Sequence, residues 1–283
     1  MEKIRIATCS ETGMPAKLAE ELGIHIVPYV VTFNGKSWLE PDVDATLLYR
    51  EMRESKALPT TAHPSVGDYL DRFRQWTDDG SIVIYIALSP FFSKAVDVAR
   101  TARAQLPDRD IRIIDMKCAT AAQGILAILA AQALKSGATA EEIIALIEKA
   151  AHRERVLIVF ETLKFLARGG RINTAKALLG SVLQIKPVLT VNEEGKTAPF
   201  GRVRTRSEGI DFIVKQIEKD LVAHNSQSLD VVIEDSDEKE WAARLRERLE
   251  REFHIAQLWQ WTMSPIVGSH IGPGAFGVSY HCR

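Results

Sequence analysis

Ser81-Ile82-Val83-Ile84-Tyr85-Ile86-Ala87-Leu88 is an apolar run of strand length, and Ser89-Pro90-Phe91-Phe92-Ser93 turns it into the helical stretch 92–105. β-Branched and aromatic residues dominate the first segment, and Pro90 suits a first helical position in the second. A strand that is apolar on both faces and runs straight into a helix belongs to a parallel sheet covered on both sides. The same rhythm extends outward. Residues 4–8 read as strand, 16–22 as helix, 25–33 as strand, 111–115 as strand, and 119–135 and 140–150 as helices. Strands alternating with helices of this length define an α/β unit.

The rhythm changes near Arg153. Residues 156–160 read as strand, 163–168 and 174–179 as short helices around a Gly-Gly break, and 186–191 and 197–203 as strands flanking Asn192-Glu193-Glu194-Gly195. That tetrapeptide is a hairpin turn, so this sheet contains antiparallel pairs. A helix over 207–223, a strand over 229–234, a charged helix over 238–252 and a final strand pair follow. The expected fold class is α/β: an N-terminal, mostly parallel sheet with helices on both faces, plus a smaller C-terminal α+β domain with a mixed sheet. The expected division is 1–153 and 154–283.

Composition narrows the function. The chain has 283 residues, 46% of them hydrophobic, which suffices for sizeable cores. Lys and Arg number 36 against 37 Asp and Glu, for a formal charge of -1, so no global field gathers nucleic acid. Any anion site is local. Cys9, Cys118 and Cys282 are odd in number and far apart, which indicates neither a disulfide framework nor a zinc site and suits a reducing cytoplasm. The opening residues show no signal-peptide pattern. The uncharged stretch 118–134 falls short of a span of ~20 apolar residues and is expected as a buried helix.

Several motifs allow two readings each. Gly272-x-Gly274-x-x-Gly277 has the letters of a dinucleotide fingerprint without the following helix, strand and acidic residue, so these glycines are expected in a tight turn beside His270. His270 itself is either structural or a ligand contact. Thr61-Ala62-His63-Pro64-Ser65 reads as a polar turn before a helix capped by Ser65, either an ordinary cap or an anion site. Ser93 opens a second helix, and Phe91 and Phe92 beside it form either an apolar ligand wall or plain core. Arg168-Gly169-Gly170-Arg171 connects two helices and has the groups to cradle an anion. Arg202, Arg204 and Arg206 alternate along a strand end and share one face, either solvated or docking. No Gly-x-Ser-x-Gly, His-Glu-x-x-His or paired-carboxylate signature for catalysis or metal chemistry is present.

The order of these blocks over nearly the whole chain resembles the DegV family of bacterial fatty-acid-binding proteins. The resemblance is carried by Thr8-Cys9-Ser10 to Pro15, Val27-Pro28, Asn34-Gly35-Lys36, Thr61 to Ser65, Ser93, Gly169-Gly170-Arg171-Ile172, Ile185-Lys186-Pro187, Arg204-Thr205-Arg206 and His270-x-Gly272-Pro273-Gly274. It implies a non-enzymatic lipid carrier without cofactor or metal. In that picture the first domain encloses the acyl tail of one long-chain fatty acid and the second closes over its carboxyl end. Thr61, Ser93, His270 and Arg171 hold the carboxylate, with Ser10, His63 and Lys94 as head-group neighbours and Phe91 and Phe92 along the tail. The partner implied is an ATP-dependent fatty acid kinase subunit that makes the acyl-phosphate for phospholipid synthesis. It would be met through Arg202, Arg204 and Arg206, with transient contact at a membrane surface. The usual Asp-Ser is Cys9-Ser10 here, the usual Thr-Ser-Gln-Pro-Ser is Thr61-Ala62-His63-Pro64-Ser65, and the usual Leu-Ser-Gly-Thr is Phe92-Ser93-Lys94-Ala95. These departures bear on the ligand more than on the fold. An autonomous phosphotransferase or hydrolase using Ser93 or His270, and a lipid-sensing regulatory module, remain the alternatives.

Overall fold

A computed structural model describes residues 2–54, 58–178 and 185–283. In chain order the first part comprises β1 (Ile4–Cys9), α1 (Ala16–Leu22), β2 (Ile24–Val27), β3 (Val30–Phe33), β4 (Lys36–Leu39), α2 (Ala45–Glu54) and β5 (Thr60–Ala62). It continues with α3 (Val66–Thr77), β6 (Ile82–Ala87), α4 (Ala95–Ala104), β7 (Ile111–Asp115), α5 (Thr120–Lys135) and α6 (Ala140–Ala151). Four strands pair in parallel in the order β2-β1-β6-β7. Side-chain alternation then sorts the helices. Ile84 and Ile86 pack with α1, α5 and α6, while Val83, Tyr85 and Ala87 pack with α3 and α4. The expected parallel sheet with both faces covered is what forms.

The second part comprises β8 (Glu154–Val159), α7 (Lys164–Arg168), β9 (Lys186–Val191), β10 (Thr197–Val203), α8 (Arg206–Ala223) and β11 (Leu229–Ser236). α9 (Lys239–Glu252), β12 (Ile255–Thr262), α10 (Pro265–Ile271) and β13 (Ala275–Cys282) complete it. Its sheet, β10-β9-β8-β13-β11-β12, is mixed: β11 and β12 run parallel and the other neighbours antiparallel. The β9–β10 hairpin turns where expected, with Gly195 at φ +83° and its N–H donating to Asn192 O at 2.7 Å.

Several local expectations are corrected. The strand expected over 25–33 breaks at Pro28, which has no N–H for a ladder, and its second half joins a separate sheet ordered β4-β3-β5. The polar turn expected at Thr61 is β5, with Thr61 opposite Val31. Ser65 does cap α3, accepting from Asp68 N in a full capping box. The helix expected from residue 92 starts at Ala95, because the N–H groups of Phe92 and Ser93 both turn back to Ser89 O. Pro90 therefore lies before the helix, and Lys94 takes its N-cap position. The helical stretch expected over 174–179 is a short 3-10 turn, Asn173–Leu178, and Leu179 lies outside the described residues.

Helix α5 decides how the two sheets meet. It has no exposed face over its first two and a half turns, where Thr120 through Ile128 are all buried. Such a helix needs apolar cover all round. One hydrophobic cluster links Ile6 and Ile84 of the parallel sheet, Ile125 and Ile128 of α5, and Ile158 and Ala275 of the mixed sheet. The apolar core is thus continuous across residue 153. Among the described residues no helix is long and apolar enough to cross a membrane.

Leu126→Ala, at a fully buried α5 position, should destabilise the fold by about 2–5 kcal/mol in urea unfolding with an unchanged m value. Val222→Ala, at a position 83% exposed, should stay within about 0.5 kcal/mol of the parent.

Candidate ligand cavity

A cavity of about 340 Å³ opens between the carboxyl ends of the parallel strands and the inner face of the mixed sheet. That volume falls in the range of small-molecule sites, roughly 300–1,000 Å³. One end is polar. Thr61 reaches it through the β3–β5 register, and its Oγ1 lies 2.9 Å from His270 Nε2, across 209 residues of sequence. His270 ends α10, which Ser264 caps by accepting from Val267 N.

Two glycines leave room for rings near this end of the cavity. A Cβ on Gly169 would sit 2.5 Å from His270 Nδ1, and one on Gly272, at φ +78°, would sit 2.0 Å from Phe165 Cδ2. Gly169 of the Gly-Gly break and Gly272 of the false dinucleotide fingerprint thus share one steric cause: close approach of backbone to ring.

Ser93 Oγ accepts from Tyr29 OH at 3.2 Å and from Ala95 N at 3.2 Å. Arg171 enters from the other side, with Nε donating to Phe92 O at 3.0 Å and Nη1 to Gly169 O at 2.6 Å. Among the described residues no carboxylate pairs with this guanidinium.

The other anticipated residues divide. His63, Lys94 and Phe92 line the cavity, His63 with Nδ1 donating to Pro64 O at 2.9 Å and Lys94 with its ammonium 3.9 Å from Asp97. Ser10 does not line it. Its hydroxyl accepts from Tyr29 N at 3.0 Å and so supports the residue that does. Phe91 is no wall either: it is 45% exposed, with Lys196 Nζ 4.5 Å from its ring centroid, because the chain at 90–93 is a surface turn and not a helix face. The arginine row is broken as well. β10 ends at Val203, and Arg206 begins α8, where it pairs with Glu161 at 3.0 Å and Glu238 at 2.9 Å. Arg202 and Arg204 remain exposed.

Both parts of the chain contribute to the apolar walls. Val156, Ile158, Leu189, Val191, Ile266 and Ile271, all after residue 153, form most of the apolar surface, while Leu88, Phe92 and Ala119 represent the first part. The reason is topological. The carboxyl ends of parallel strands present polar loops, and the buried apolar face lies on the mixed sheet opposite. Sequence reading also missed Tyr29 and Glu11. The signal for Tyr29 was Pro28, which breaks the strand and lets the next side chain turn inward.

Residues 3–283 match the sequence pattern of the family described as "Uncharacterised protein, DegV family". The chain belongs to the DegV family. A DegV domain-containing protein of Listeria monocytogenes is 31% identical over 284 residues, covering 100% of this chain and 99% of the relative. Among solved structures, that described as "Fatty Acid Binding of a DegV family Protein from Thermus thermophilus" superposes with a TM-score of 0.93 at 28% identity, covering 99% of this chain and 100% of the other. DegV of Bacillus subtilis, described as a fatty acid binding protein, superposes with a TM-score of 0.89 at 27% identity, covering 100% of both chains.

In this DegV chain the polar end is electrostatically simple. Burial, with the Arg171 charge second, lowers the His270 pKa to about 4, so the imidazole is neutral at neutral pH. Burial holds Tyr29 well above the usual phenol range, so it is a neutral donor. Burial also lowers Arg171 somewhat from its ordinary value, without bringing deprotonation near neutrality. Arg171 is thus one positive charge among neutral donors, with Lys94 at the rim.

A His whose folded pKa is depressed from ~6.5 to about 4 favours folding fully above pH ~6.5 and loses that contribution as pH falls toward 4. Glu40 and Glu234, pushed up by burial to about 7, act in the opposite sense: their contribution is complete below pH ~4.3 and is lost as pH rises through 7. The comparison is therefore parent against His270→Gln. Between pH 6.5 and 4 the parent should lose up to roughly 3 kcal/mol more stability than the variant. NMR titration should find the His270 ring unprotonated at pH 5.5; an ordinary histidine titration would contradict this.

Proposed function

We propose that this chain binds one long-chain fatty acid, with its carboxylate among Thr61, Ser93, Tyr29, His270 and Arg171 and its tail along Val156, Ile158, Leu189 and Ile266. One observation carries the reading: among the described residues a part-buried guanidinium without a carboxylate partner, beside neutral hydrogen-bonding groups, lines a largely apolar cavity. A desolvated cation of that kind is complemented by an anion whose remainder is apolar. The fatty acid binding described for the Thermus thermophilus and Bacillus subtilis relatives supports it. Burying ~14 methylenes at ~0.8 kcal/mol each contributes roughly 11 kcal/mol, which exceeds an association cost of several kcal/mol. The tail thus supplies affinity and the head supplies orientation.

In this reading the protein is a carrier and not an enzyme. It works in the cytoplasm and is built of two units, 1–153 and 154–283, with the ligand between them. It presents the carboxyl to an ATP-dependent kinase subunit for acyl-phosphate formation, and Arg202 and Arg204 form the docking face. Arg206 is left out, since Glu161 and Glu238 already engage it.

Native mass spectrometry of protein made in cells should show one acyl chain per polypeptide. After delipidation, added palmitate should raise the melting temperature. Thr61→Val and Ser93→Ala should each weaken palmitate binding by about 1.5–3 kcal/mol, or ~10- to 150-fold. Unchanged affinity in both variants would remove the head-group assignment. Arg204→Glu should keep palmitate affinity and melting temperature near the parent values while sharply lowering acyl-phosphate formation in a reaction reconstituted with kinase and ATP. Loss of lipid affinity would instead place Arg204 in ligand binding, and unchanged turnover would return it to the solvated surface.

A further inference from the structure

Polar groups on the cavity wall are not limited to the five proposed for the head group. Glu11, just past the carboxyl end of β1, also lines the cavity and is only 2% exposed. Its Oε2 accepts from the backbone N–H of Thr120 at 3.1 Å, the first residue of α5. Among the described residues its Oε1 has no partner. Nearly all buried polar groups are paired, so a single unpartnered carboxyl oxygen on a cavity wall points to the cavity's contents.

The surroundings set the protonation of this group. Burial, and after it the carboxyls of Glu234 and Glu40, holds it well above the usual carboxylate range against the lowering effect of the Thr120 N–H. Oε2 already accepts from Thr120, so in the protonated acid Oε1 carries the proton and is the donor. Thr120, which also lines the cavity, holds φ +57°, a left-handed conformation that β-branched residues rarely adopt. Strain of this kind collects at ligand sites, and here it belongs to the residue that fixes the Glu11 carboxyl.

We propose that Glu11 is a specificity residue, and that the cavity takes a fatty acid bearing a hydroxyl on its chain, to whose oxygen Oε1–H donates. The inference deepens the fatty-acid reading and rests on it. A saturated unsubstituted chain would leave the buried acid unpaired. A site built to bond a ligand hydroxyl rejects the analogue that lacks it far more strongly than an apolar wall distinguishes methylenes.

The test uses the full delipidated chain and compares stearate with a positional series of hydroxystearates by competitive titration. One positional isomer should bind roughly tenfold or more tighter than stearate. Glu11→Leu should bring that ratio close to unity. Glu11→Gln should keep the preference, because its amide oxygen still accepts from Thr120 and its NH₂ still donates. Stearate binding with no preferred isomer overturns the inference and leaves the fatty-acid reading standing; a water satisfying Glu11 would give this result. A preference that survives in Glu11→Leu also overturns it. Failure of stearate and every hydroxystearate to bind the parent overturns the fatty-acid reading and this inference together. The parent series decides the matter even if Glu11→Leu does not fold.

Discussion

The structure depends on covering α5. A helix whose first two and a half turns are buried on every side is stable only between two apolar surfaces, and the parallel sheet supplies one while β8, β11 and β13 of the mixed sheet supply the other. Clamped in this way, α5 fixes the spacing of the two sheets. The gap between the strand ends and the mixed sheet becomes the cavity, and Thr61 can reach His270 across it. The start of the same helix, at Thr120, is tied to Glu11 on the cavity wall. A single burial requirement therefore sets both the fold and the depth of the site.

Charge distribution within the cavity follows from what burial permits. A ring of several buried cations would be prohibitively costly, and the polar end avoids it. Arg171 carries the charge, while burial keeps His270 and Tyr29 neutral and available as hydrogen-bond partners. Its bonds to the Phe92 and Gly169 carbonyls orient the guanidinium without neutralising it. The cavity retains a positive bias at one end although the chain as a whole is nearly neutral.

Much of this was legible in the sequence because the signals were local. Ile111–Asp115, Lys186–Val191 and Thr197–Val203 formed as their apolar runs and turn residues dictate. The three-stranded sheet around β3 was not legible. β4 is wholly exposed and β5 has only three residues, so neither carries a hydrophobic pattern. Thr61 and Ser93 do reach the cavity, although the first is placed by strand register and the second precedes its helix. The row at Arg202, Arg204 and Arg206 failed because alternation holds only while the strand continues, and Thr205 caps a helix there. Tyr29 and Glu11 were missed because their importance lies in partners far away in sequence, Ser93 and Thr120.

The central claim is that an anionic lipid head group rests against Arg171 and neutral donors. The most direct measurement is ¹³C NMR of carboxyl-labelled palmitate in a one-to-one complex, followed as pH is lowered. Burial raises the pKa of a carboxyl, whereas a facing guanidinium and donated hydrogen bonds lower it; in this cavity the second pair should win. The account predicts a single bound resonance at the position of the ionised carboxylate, persisting well below the pH at which free palmitate protonates, and losing that resistance in Arg171→Met. A bound carboxyl that is already neutral at pH 7, or one that titrates identically in parent and Arg171→Met, would contradict it.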